Sequence, residues 1–168
     1  GHLSVVQLLV PKMQELRIPI NSVVSALKSS TIHLAAKYGQ GEIAYFLMEN
    51  KASPEAGDAN GNTALLCALA ANKPDTAAFL IECGCDVKAQ NADHYTALHL
   101  AAKHGHVHIA KGCVAAGLDP NLRTRAGLTA LHLAAIGAHL DMCFWLLHRP
   151  GVDINVRDNR GFTPLHHA

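Results

Sequence analysis

No apolar run in this chain approaches the roughly 18 residues that a membrane-spanning helix needs, and no signal-peptide pattern is present, so neither membrane insertion nor export is expected. Charge of either sign is scarce. Fourteen Lys and Arg face thirteen Asp and Glu, leaving a net charge of +1, which removes any global pull toward nucleic acid or acidic lipid. Aromatic residues make up only 5% of the chain, too few for the stacking platforms that hold single-stranded bases. Nucleic acid is therefore not an expected partner. Cys67, Cys83, Cys85, Cys113 and Cys143 are odd in number and scattered. A secreted disulfide framework is usually even and clustered, so a reducing compartment is expected, the cytoplasm first and the nucleus second.

Catalytic signatures are missing too. There is no Gly-rich phosphate loop closed by Lys and Ser or Thr, no nucleophile elbow, and no carboxylate pair assigned to a cleft. The chain is read as a non-enzyme with no cofactor and no small-molecule substrate.

What the chain does have is self-similarity. Thr63-Ala-Leu-Leu66, Thr96-Ala-Leu-His99, Thr129-Ala-Leu-His132 and Thr163-Pro-Leu-His166 begin 33, 33 and 34 residues apart. Ser30-Thr-Ile-His33 fills the same place 33 residues before the first. Each Thr suits a helix N-cap, and Pro or Ala beside it starts a helix well. Gly39 and Gly105 stand where such a helix would end in a left-handed residue, with Asn72 as the next best choice in one block. Apolar residues then recur at three- and four-residue spacing, as in Ile43, Phe46 and Leu47, or Met142, Trp145 and Leu146, marking a second, outer helix.

This period and signature resemble the ankyrin-repeat family. The resemblance implies an all-α solenoid of helix-turn-helix units joined by β-turn finger loops. One array over 1–168 is expected, with a partial repeat at 1–29, repeats at 30–62, 63–95, 96–128 and 129–162, and the start of another at 163–168. Neither end carries the polar capping unit that repeat arrays use, so the chain reads as a segment of a longer array.

Some positions depart from the pattern. Five extra residues lie between Gly1 and Ser30, four of them fitting one more turn of the first outer helix, which Pro11 should kink. An irregular stretch runs from Pro11 to Ser29, with Asn21 displaced within it. Gly112 replaces the usual Leu of an outer helix, at about 1 kcal/mol in propensity together with a packing defect, which makes this repeat the expected soft point. Ala138 takes a Gly slot, and Pro150 accounts for the 34-residue step.

Twelve histidines invite a metal site, and His104-x-His106-x-His108 has the look of a cluster. The resemblance assigns His33, His99, His132 and His166 to the Thr-x-Leu-His slot, and His2, His106 and His139 to the Gly-His slot between helices, all as scaffold. Cys83-Gly-Cys85 is too closely spaced for a zinc pair and reads as buried or half-buried thiols. No metal is expected.

Family resemblance also says where a partner would touch: the finger tips, the residue before each helix-starting Thr, and the exposed end of each inner helix. Tyr95, Leu128 and Phe162 share one such slot on consecutive repeats. Arg123, Arg125, Arg157 and Arg160 stand on the neighbouring fingers, and Lys103, His104 and Ile136 on inner-helix ends. Aromatic and arginine residues together have the composition of binding hot spots. The expected function is a protein-interaction module, an intracellular scaffold or adaptor segment whose concave face takes a protein or peptide with apolar side chains flanked by acidic ones. The alternative is a passive or regulatory arm of a larger channel, toxin or enzyme. Asn60, Asn62, Ala70 and Ala71 look poorly equipped and suggest a spacer. Asn155, with Leu147 and Asp153 before it, resembles the loose preference of the asparaginyl hydroxylase that modifies this family; its alternative role is that of a turn residue bonding its own backbone.

Overall fold

A computed structural model describes residues 2–16 and 29–168. The described residues form ten helices and no strand, in two compact units, Gly1–Asp86 and Val87–Ala168. The first unit contains α1 (His2–Glu15), α2 (Thr31–Lys37), α3 (Gly41–Glu49), α4 (Ala64–Ala70) and α5 (Pro74–Glu82). The second contains α6 (Ala97–His104), α7 (Val107–Ala115), α8 (Ala130–Ile136), α9 (Leu140–Leu147) and α10 (Pro164–His167). Most of the irregular stretch expected before Ser29, including Asn21, lies outside the described residues.

The inner helices α2, α4, α6, α8 and α10 have eight residues or fewer, and their starts follow from their caps. The Thr63 hydroxyl accepts from Leu66 N–H at 3.4 Å, and that of Thr96 from His99 N–H at the same distance. At Ser30, Thr96, Thr129 and Thr163 the cap's own N–H donates back to Nδ1 of the histidine three residues on, at 3.1–3.3 Å. Histidine thus takes the part that Glu or Gln plays in a capping box. Because Nδ1 accepts, the proton is assigned to Nε2, which donates across to a finger carbonyl: His33 to Ala56 at 2.7 Å, His99 to Leu122 at 3.0 Å, His132 to Phe162 at 3.1 Å. The expected scaffold role of these imidazoles has its geometry in these bonds.

Inner helices stop where the chain turns left-handed. Gly105 has φ 75°, Asn72 φ 56° and Ala138 φ 54°. In each case the next N–H closes back on the helix, His106 on Ala101, Lys73 on Ala68 and His139 on Ala134, all at 2.9 Å. Ala138 is the costly member, since a Cβ crowds the left-handed conformation.

The cores are small-residue stacks closed by leucines. In the first unit Ile32, Ala36, Leu47, Leu65, Leu69 and Leu80 are almost wholly buried; in the second Leu98, Ala101, Ala102, Met142 and Leu146 are. Alanines let helices approach closely, and each fully buried Leu or Ile contributes about 2 kcal/mol by leaving water.

Two departures resolve clearly. α1 is 14 residues long where the other outer helices have eight or nine, as the extra turn requires, and it continues through Pro11. Gly112 does not stand at a buried position. The seventh residue of α3, α5, α7 and α9 is buried: Leu47, Leu80, Cys113 and Leu146. Gly112 is sixth, in register with Phe46, Phe79 and Trp145, and it is exposed. A Cβ built there would meet nothing within 4 Å. Its cost is therefore one of backbone propensity, and the expected hole in the core is absent because Cys113 fills that place.

Candidate functional site

Finger loops position the candidate contact residues other than Lys103, His104 and Ile136, which lie at the ends of α6 and α8, and one device shapes the fingers. The residue four before each slot residue folds its side chain over the turn. Asp58 Oδ1 accepts from Asn60 and Asn62 N–H, Asn91 Oδ1 from Asp93 and Tyr95, and Asp158 Oδ1 from Arg160 and Phe162, all at 2.8–3.0 Å; Thr124 Oγ1 accepts from Leu128 N–H at 3.1 Å. The backbone closes the same turn, for example from Thr124 N–H to Leu128 C=O and from Asp158 N–H to Phe162 C=O, both 2.9 Å. The slot residue's main chain is thereby fixed and its side chain left available.

Tyr95, Leu128 and Phe162 all lie in the second unit, each directly before a cap threonine. Tyr95 is half-buried, edge-on to His99 at 5.9 Å, and burial together with the nearby Asp93 raises its hydroxyl pKa. Leu128 is half-buried. Phe162 is 38% exposed, with the Arg160 guanidinium 5.1 Å above its ring and His166 and His167 against it. The three share a register, and each has an apolar surface partly open to water.

The four arginines divide. Arg123 donates from Nε to Gly127 C=O at 3.2 Å and from Nη2 to Arg157 C=O, so it straps one finger to the next. Arg157 donates from Nη1 to its own finger, Gly161 C=O, at 2.9 Å. Asn159 Nδ2 adds a second strap to Arg125 C=O at 2.8 Å, and Arg125 N–H donates to Asp93 C=O at 2.8 Å. Arg123 and Arg157 are thus occupied within the fold. The guanidinium of Arg160 rests on Phe162, and that of Arg125 makes no hydrogen bond to another described residue. Lys103 and Ile136 are exposed, and the half-buried His104 stacks with His106 at 6.1 Å. Exposed Asn155 sits in a turn, its N–H on Asp153 Oδ1 at 2.8 Å.

One arrangement escaped sequence reasoning. Asp158 Oδ2 accepts from His167 Nε2 at 2.9 Å, and Cys67 Sγ donates to Asp58 Oδ2 at 3.9 Å. His167 and Cys67 occupy the same inner-helix slot, where Leu34, Leu100 and Leu133 stand elsewhere. A polar residue appears there only opposite a finger Asp; the signal was the nine-residue spacing of 58–67 and 158–167. Burial works against ionisation of Asp158, but the bonds from His167, Phe162 and Arg160 hold its pKa down at about 2.

Burial pushes the thiols of Cys67, Cys85 and Cys113 up to about 12, so at neutral pH they are protonated and unreactive. His99 and His132 are likewise buried, which lowers their pKa and keeps them neutral against the opposing pull of the carbonyls they bond. The geometry therefore offers fixed hydrogen-bonding fingers and apolar slots, a surface suited to holding a partner.

A family model described as ankyrin repeats (3 copies) matches residues 1–91 and 98–168. No curated protein matches the chain.

Proposed function

We propose that this chain, which belongs to the ankyrin-repeat family, is a non-catalytic binding module of the cytoplasm or nucleus. Ankyrin repeats generally mediate protein–protein interaction, and the proposal is the specific surface: the finger side of the second unit. The observation that carries it is Phe162, open to solvent under Arg160 while its own backbone is locked by Asp158. Pre-organised apolar groups beside an arginine lose little entropy on binding, which is what makes hot spots. Tyr95 and Leu128 extend the apolar surface in the same register, and Arg125 supplies a free cation. The partner is a protein or peptide with apolar side chains flanked by acidic ones, and the role is that of a scaffold or adaptor.

The test is affinity capture from cell extract, run beside the Tyr95→Ala, Leu128→Ala, Phe162→Ala triple variant, with circular dichroism confirming that both are folded. Proteins held by the parent and lost by the folded variant would support the surface. Equal capture by both would remove it.

A second reading, a passive or regulatory arm of a larger channel, toxin or enzyme, draws on the commitment of the Arg123 and Arg157 side chains to carbonyls of the fingers themselves. Capture of nothing by either protein would favour it. Modification of Asn155 belongs to the same set of proposals, its side chain being exposed beyond α9. A +16 species on that peptide, from cells holding active asparaginyl hydroxylase, would support the modification, and its absence would end the idea.

A further inference from the structure

The outer helices of the second unit carry a notch that the finger-side reading does not use. Sixth in its helix, Gly112 interrupts the series Phe46, Phe79 and Trp145, and a Cβ there would meet nothing within 4 Å. A groove of about 350 Å³, which Gly112 does not line, is formed by Lys111, Val114 and Ala115 of α7 with Trp145 and Arg149. In the first unit the sixth-position ring is covered differently: Phe79 meets Tyr45 edge-on at 5.9 Å. In α7 the residue in the Tyr45 slot is Lys111, so Trp145 has no aromatic partner from the preceding outer helix.

Both charged residues that line the groove are basic. The Arg149 guanidinium sits 5.2 Å over the Trp145 ring and makes no hydrogen bond to another described residue. Lys111 forms no ion pair; among the described residues the pairs are Lys12–Glu15 and Asp158–His167. No carboxylate lines the groove. An indole wall, an aliphatic floor from Val114 and Ala115, and two uncompensated cations describe what would complement them: an apolar ring with carboxylates on either side.

We propose that this groove is a second docking site, taking an aromatic side chain of a partner protein against Trp145, Val114 and Ala115 while flanking acidic residues pair with Lys111 and Arg149. The attraction is electrostatic at the rim and weakens with salt, and the ring supplies the specificity.

Trp145 is the chain's only tryptophan, so the site reports on itself. The probe is the peptide Ac-Glu-Glu-Phe-Glu-Glu-NH2, titrated into the protein at low salt while Trp145 emission is followed. The expected result is a saturable change, at least tenfold weaker for the peptide with Ala in place of Phe and absent for one with Lys in place of Glu. The Lys111→Glu, Arg149→Glu pair, the first exposed and the second half-buried, abolishes it, and circular dichroism checks the fold. The Tyr95→Ala, Leu128→Ala, Phe162→Ala variant retains it, which separates this site from the finger surface. No saturable change up to millimolar peptide, an equal response to the Lys peptide, or loss in the triple variant would each overturn the proposal.

Discussion

His139 reaches back across a full repeat to Lys103, its Nε2 lying 2.9 Å from that carbonyl oxygen. The ring has room only because two neighbours have no side chain: a Cβ on Gly105 would come within 2.8 Å of its Nδ1, and one on Gly137 within 2.5 Å of its Cδ2. Lys103, read from sequence as a contact residue, therefore has two roles, with its carbonyl in the scaffold and its side chain in water.

Gly137 and Ala138 should respond in opposite directions. Gly137 has an ordinary φ of −78°, so Gly137→Ala meets a purely steric obstacle, His139, and should cost about 2 kcal/mol. Ala138 has φ 54°, and Ala138→Gly should gain about 1 kcal/mol. Urea unfolding of the two variants measures both, and a loss of stability in Ala138→Gly would contradict the strain.

Arg123 and Arg125 should separate stability from recognition. Arg123→Ala removes bonds to the Gly127 and Arg157 carbonyls and should lower stability by about 1 kcal/mol. Arg125→Ala should leave the unfolding midpoint within error and reduce capture of any partner. The reverse pattern would exchange their assignments.

Acidification should weaken the fold in two stages. His99 and His132 have lowered pKa values in the folded state, so below the ordinary imidazole value of 6.5 the unfolded chain takes up protons that the folded one refuses, and stability falls as pH drops from about 7 toward 5. Asp158 has a depressed pKa, so its contribution is complete above 3.8 and is lost as pH falls toward about 2. Midpoints in urea at a series of pH values should show both limbs, the lower one reduced in Asp158→Asn. A flat profile between pH 7 and 5 would show that the buried imidazoles are already compensated.

Gly112→Ala should stabilise by about 1 kcal/mol, since the new methyl meets nothing and the helix gains a better former. Thermal unfolding gives the answer directly, and a destabilised variant would mean that the backbone there is not free to accept a Cβ.

The repeat period, the threonine caps, the imidazole slots and the glycine-type helix ends were all legible in sequence. Each depends on a local bond between residues three to six apart, which recurs at every 33-residue step. Gly112 was legible as a break in the apolar pattern of an outer helix, but the packing defect expected there is absent because the position is exposed. Only the packed helices distinguish the buried seventh residue from the open sixth. The slot residues Tyr95, Leu128 and Phe162 were legible as a series, and their exposure was not.

What only tertiary structure decided is which polar groups are already spent. From sequence Arg123 and Arg125 are the same residue two apart. In the fold one guanidinium ties neighbouring fingers and the other is left free, because the next finger brings the Arg157 carbonyl within reach of Arg123 alone. Likewise, whether a thiol or an imidazole meets a carboxylate nine residues away depends on how a finger folds over its helix. Bonds of short sequence separation follow from the order of residues; bonds between successive repeats exist only once stacking has brought their carbonyls within range.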